Sequence, residues 1–150
     1  MSTDAAAELV GRFWPTLYTR DWSALRRFFD ADSIYWDVPV GPTAAARGPD
    51  DIERRLRLGL DPLEGIDHRG AVVVSDGTIV MTEHTEVWRF PTGEEVALPF
   101  VSVQHVRGEH IVLWKDYWNY GTLMEGAPAW WHERLATADL SWIHDASYLA

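Results

Sequence analysis

Three short turn segments divide the chain after residue 64, and they constrain its fold more than any other feature. Asp76-Gly77 separates "HRGAVVVS" from "TIVMTEHTEVWRF", "PTGE" separates that run from "EVALPFVSVQHV", and "RGEH" separates the latter from "IVLWKDYWNY". Runs rich in Val, Ile, Thr and aromatic residues, bounded by Gly, Pro and Asp, read as strands. Connections this short can only return the chain antiparallel, so the second half is expected to form a four-strand meander.

The first half has a different period. "DAAAELVGRFWPTLYTRD" spaces Leu9, Phe13 and Leu17 for one face of a helix, which Pro15 is expected to kink or interrupt. "DWSALRRFFDAD" gives a second short helix with Asp21 as N-cap, and "SIYWDVPV" is a strand that stops at Pro39 and Gly41. "GPDDIERRLRLGL" starts a third helix at Pro49, with Asp50 and Asp51 in the turn where the helix dipole favours anions. Near the end, "APAWWHERLATADL" reads as a short helix opened by Pro128, and "SWIHDASYLA" as a tail without a period. Helices followed by a curved antiparallel sheet make an α+β protein, read as one domain over 1–150. Its core spans about 9–124, and the C-terminal helix and tail span 127–150.

The formal net charge of −10 and the absence of any Lys/Arg run argue against nucleic acid as a partner. With no cysteine, disulfides and thiolate chemistry are excluded. No apolar run is long enough to span a bilayer, and the first residues lack the pattern of a secretory signal, so a cytoplasmic protein is expected. Nine tryptophans suit both a core and an apolar ligand pocket.

Candidate chemistry comes from polar groups on strand faces that should be half buried. In "TEHTEVW", His84 and Glu86 share a face with Thr82 and Trp88. Periodicity alone allows either an ordinary ion pair on a solvated face or part of a site. In the last strand, His110, Val112, Trp114, Asp116, Trp118 and Tyr120 share a face, and alternation does not say whether it is the inner one. If it is, Asp116 lies among tryptophans and its pKa should rise, which suits a general acid or base. The strands holding His84 and Asp116 flank the same neighbour, and the first strand can add Tyr35 and Asp37. The expected site is therefore Asp116, His84, Glu86, Tyr35 and Asp37, with Trp88, Trp114, Trp118, Leu98 and Phe100 as substrate-binding walls. A histidine held between two carboxylates is expected to be protonated. One histidine is a poor basis for a metal site, and the remaining histidines show no ligand spacing, so no metal is expected.

"LRRFFDADSIYWDVPV", the following helix, "MTEHTEVWRFPTGE" and "LWKDYWNY" together resemble the limonene-1,2-epoxide hydrolase branch of the SnoaL-like, nuclear-transport-factor-like superfamily. The resemblance runs from about Leu9 to Met124. It implies a cone-shaped α+β barrel whose helices and curved sheet enclose a deep pocket. It also implies a homodimer, and a cofactor-independent enzyme acting on a small apolar substrate. In that branch one Asp activates a water held by a Tyr and an Asn, an Arg bridges, and a second Asp protonates an epoxide. Tyr35 matches the Tyr and Asp116 the water-activating Asp, while Asp37 replaces Asn, His84 replaces Arg and Glu86 replaces the acid Asp. The resemblance thus implies acid–base addition of water to an apolar cyclic epoxide, with Asp116 as base. The same superfamily offers alternatives. "YWDVPVG" is similar to a segment of ketosteroid-type isomerases, which implies an isomerase, dehydratase or cyclase using Asp37 and His84. In that branch Phe13 stands where a helical Tyr is expected, and Ser102 near the place of a protonated acid. A non-catalytic ligand-binding module is the third option.

Overall fold

The computed structural model describes residues 3–150. The expected meander is present: β3 (Gly65–Ser75), β4 (Ile79–Arg89), β5 (Glu95–Arg107) and β6 (His110–Tyr117) pair antiparallel in succession. β1 (Ile34–Asp37) extends this sheet beyond β6, and β2 (Ala46–Arg47) forms its edge, so the order is β2-β1-β6-β5-β4-β3. One pairing departs from the antiparallel expectation, because β1 runs parallel to β6, with Tyr35 opposite Trp114 and Asp37 opposite Asp116. No hairpin joins these two strands. The chain returns to β1 only after α3 (Gly48–Leu60) and the whole meander, so no turn dictates their relative direction.

Helix α1 (Ala5–Tyr18) runs through Pro15 instead of stopping there, and buries Leu9, Val10, Phe13, Trp14 and Leu17 against the sheet. Asp4 caps it by accepting from the Ala7 N–H at 3.0 Å. Asp21 caps the single turn α2 (Trp22–Leu25) in the same way, as its sequence position suggests. In α3 the positive-φ Gly48, Pro49 and the acidic first turn open a helix whose inner face carries Ile52, Leu56 and Leu60.

Two sequence expectations fail at the end of the meander. First, a β-bulge shifts the β5–β6 register, pairing Leu113 with His105 and Ile111 with Val106. Val112 is the extra residue, so Ile111 turns inward and is fully buried, while Val112 and His110 are not. The alternation read from sequence therefore holds only from Trp114 onward. Second, β6 stops at Tyr117, because Asn119 accepts from the Thr122 N–H at 2.9 Å and caps α4 (Tyr120–Gly126). Helix α5 (Ala129–Ala136) follows, with Pro128 at its N-cap.

The final segment is also more ordered than its lack of period suggests. His144 and Ala45 exchange backbone hydrogen bonds, Ala146 donates to Pro42 O at 2.9 Å, and Ala146 is fully buried. Small residues at 44–46 and 146 permit this close approach. Helices α1 and α3, with the C-terminal segment, cover the inner face of the sheet and leave a cavity between them. Among the described residues, no helix is long and apolar enough to cross a membrane.

Candidate functional site

The cavity, of about 320 Å³, is of a size that holds a small organic ligand. Most of its wall is apolar, including Leu17, Leu56, Leu98, Phe100, Leu123 and Trp131. The C-terminal segment supplies Leu140, Trp142 and Ile143. Against this background Tyr35, Asp37, Arg55, Glu86, Asp116 and Tyr120 are the polar exceptions.

Asp116 lies at the centre of the floor, almost wholly buried, with Trp114 beside it. Its Oδ1 accepts from Ser102 Oγ at 2.6 Å and from Trp114 Nε1 at 2.6 Å. Both donors fall on the same oxygen, which leaves Oδ2 to the cavity. Burial raises the Asp116 pKa well above the ordinary carboxyl range, and the negative charge of Asp37 raises it further. Tyr35 stacks on the Trp114 indole with centroids 3.9 Å apart and forms the adjoining wall.

Glu86 approaches the same cavity from β4. Trp88 Nε1 donates to its Oε2 at 2.8 Å, and the Tyr18 hydroxyl donates to Oε1 at 3.1 Å. Burial lifts the Glu86 pKa to about 7 despite these two donors, which pull it down. Near neutrality, then, one carboxyl of the pair favours its protonated form and the other sits near half-ionisation. Such a separation between neighbouring carboxyls divides acid from base.

Asp37 is bound more fully. Its Oδ1 accepts from Tyr35 OH at 3.0 Å and Trp118 Nε1 at 2.8 Å, while Arg55 donates to Oδ2 at 2.9 Å. Arg55 also bonds the Ala44 carbonyl. Each carboxyl thus has its own indole donor: Trp88 for Glu86, Trp114 for Asp116 and Trp118 for Asp37. The tryptophans expected as walls line the cavity and also hold the carboxyls.

His84 departs from its expected place. It is buried, but it lies behind the cavity wall and is not part of its lining. Its Nε2 meets Ser102 Oγ at 2.9 Å, and its Nδ1 meets Tyr18 OH and His68 Nε2, each at 3.2 Å. It therefore reaches Asp116 only through Ser102, and Glu86 only through Tyr18. Burial, with His68 adding to it, lowers its pKa to about 4, so the ring is neutral at physiological pH. The expectation of a protonated bridge fails because no carboxylate touches the imidazole, while desolvation penalises the cation.

Tyr18, His68 and Arg55 were not singled out from the sequence as site residues, and Ser102 entered only through the isomerase resemblance. Arg55 falls on the stripe Ile52–Leu56–Gly59, and a cation on a buried helix face is a readable signal. Ser102 likewise interrupts the inward series Val96, Leu98, Phe100 on β5. His68 belongs to an exposed stretch of β3 and carries no such signal. Among the described residues no cluster of three or more His, Asp or Glu is arranged to hold a metal ion.

A six-stranded curved sheet with helices enclosing an acid-lined apolar cavity defines a class of protein fold. The chain belongs to the SnoaL-like domain family, whose model matches residues 10–114. Solved structures agree on the fold. A Shewanella putrefaciens protein assigned as a SnoaL-like polyketide cyclase superposes with a TM-score of 0.74 at 18% identity, over 84% of this chain and 96% of that one. A Xanthomonas campestris protein assigned as a polyketide cyclase gives 0.72 at 23% identity, over 81% and 95%. An M. tuberculosis LEH-like epoxide hydrolase gives 0.65 at 23% identity, over 79% and 89%. At these identities the likeness is one of fold.

Proposed function

We propose that this chain is an acid–base catalyst that moves a proton between carbon and oxygen in a small apolar carbonyl compound, a reaction of the isomerase or cyclase kind. One observation carries the reading. Two buried carboxyls with raised proton affinity, Asp116 and Glu86, face one apolar cavity. Asp116, held neutral, donates through Oδ2 to the substrate oxygen as it gains charge. Glu86, near half-ionisation, accepts the proton from carbon. Asp37, fixed by Arg55, Tyr35 and Trp118, contributes the charge that keeps Asp116 protonated, and the aromatic wall excludes water. The geometry favours this over the water-addition scheme with Asp116 as base, because Asp116 favours the acid form. Tyr35 also gives its hydroxyl proton to Asp37, so it has no donor left for a water.

A second reading, opening of an apolar cyclic epoxide, rests on the same two carboxyls with Asp116 as the acid, and the fold of the M. tuberculosis neighbour favours it. One experiment separates the two. The purified protein is incubated in heavy water with cyclic ketones and enones, against a protein-free control, and in parallel with cyclic terpene-type epoxides. Deuterium should wash into the carbonyl compounds at the carbon beside the carbonyl. Asp116→Asn and Glu86→Gln should each reduce this by roughly 10²–10⁴-fold while the fold persists. Diol formation without wash-in would replace the first reading with the second. Binding without any product would make the chain a ligand-binding module.

A further inference from the structure

We infer that His68, His84 and Ser102 form a hydrogen-bond chain of fixed direction that reserves Oδ1 of Asp116 as an acceptor and so presents the Asp116 proton to the cavity on Oδ2. These are positioning residues, and the inference rests on the reading of Asp116 as proton donor.

The direction follows from counting donors. The Tyr18 hydroxyl has one hydrogen, which it gives to Glu86 Oε1 at 3.1 Å. At the His84 Nδ1, where Tyr18 is 3.2 Å away, the remaining donor is His68 Nε2, also at 3.2 Å. Trp114 Nε1 can only donate, so Asp116 Oδ1 is an acceptor and takes the Ser102 hydrogen. The hydrogen between Ser102 and His84 must then come from the ring, so that in a neutral imidazole Nδ1 accepts and the hydrogen sits on Nε2. That nitrogen donates to Ser102 Oγ at 2.9 Å, while the single Ser102 hydrogen goes to Asp116 Oδ1 at 2.6 Å. Trp114 Nε1 already points at the same oxygen at 2.6 Å. An oxygen that accepts two short hydrogen bonds is the poorer place for a proton, so the acid hydrogen resides on Oδ2.

The surroundings fit this polarity. Asp116 is faced by Asp37 and Tyr35 from β1, Glu86 from β4 and Ser102 from β5, with Arg55 of α3 acting through Asp37. His84 is faced by Tyr18 and Trp14 from α1, His68 from β3 and Ser102 from β5. The hydrogen-bond partners of His84 are Tyr18, His68 and Ser102, none of them a carboxylate, and burial lowers the pKa of both histidines, so a neutral His84 suits this location. The bulge in β3 between Arg69 and Val72 lies opposite His84 and sets the local approach of β3 to β4, which places His68 in reach.

The test needs no substrate, so it stands or falls separately from the proposed reaction. In protein carrying isotope-labelled histidine, nitrogen NMR should find His84 neutral at physiological pH with its hydrogen on Nε2. In protein carrying labelled aspartate, Ser102→Ala should raise the proton affinity of Asp116 about tenfold, a shift of about one pKa unit. Ser102→Thr, which keeps the hydroxyl, should restore it. A hydrogen on His84 Nδ1, an imidazolium at neutral pH, or an Asp116 titration unchanged by Ser102→Ala would each overturn the inference. The tautomer measurement is made on the unaltered protein and remains decisive if the variants fail to fold.

Discussion

Asp37 and Asp116 are neighbours in register on adjacent strands, yet they sit in opposite environments. Asp37 lies at the cavity rim, half-buried, and is bound by a guanidinium, a phenol and an indole. Asp116 lies on the floor, has no cation beside it among the described residues, and keeps one oxygen free. A carboxylate held by a cation and by two further donors is a fixture, whereas a more deeply buried carboxyl with no cation and one oxygen free retains its proton and can trade it. The rim residue creates the condition of the floor residue, since the Asp37 charge is the next cause after burial of the raised Asp116 pKa.

The hardest way to break this contrast is to remove the cation. Arg55→Met would strand Asp37 without its partner at a site where both side chains are largely buried, and should cost about 2–3 kcal/mol in urea unfolding. Adding Asp37→Asn to that variant should recover most of the loss. An additive result instead would mean that Arg55 matters for packing and not for charge.

A smaller effect is expected at the floor. Trp114→Phe keeps much of the stacking on Tyr35 but removes a donor to Asp116. It should lower stability by about 1–2 kcal/mol and push the Asp116 titration further upward. A downward shift would mean that the indole desolvates Asp116 more than it bonds it.

The mildest probe is pH. Glu86, whose pKa burial lifts to about 7, becomes a competent base only above that value, so activity should rise through neutrality. It should fall again at the higher pH where Asp116 loses the proton it donates. Stability provides a separate check through His84. His84 is lowered from 6.5 to about 4, so its own contribution to stability should decline as pH falls across that window. The raised Glu86 and Asp116 give the opposite slope, and the difference between wild type and a His84 variant isolates the His84 part. His84→Gln should flatten this acid limb while leaving the activity limb set by Glu86 in place.

Much of this was legible in the sequence, in local patterns. Turn chemistry fixed the meander, alternation put His84, Glu86 and Trp88 on one inner face of β4, and "WKD" put Trp114 beside Asp116. These are properties of neighbours along the chain, set by the two-residue period of a strand. The parallel return of β1, the Val112 bulge and the docking of residues 140–146 depend on contacts between distant segments, which no period records. The same holds for the roles of the polar groups. His84 looked like a charged bridge because it sits two residues from Glu86. Its partners are instead Ser102, Tyr18 and His68, brought in from β5, α1 and β3. Sequence placed His84 with Glu86, and Trp114 with Asp116, on common strand faces. The tertiary structure decided which of them carries a proton, because burial depth and long-range hydrogen bonds set that balance.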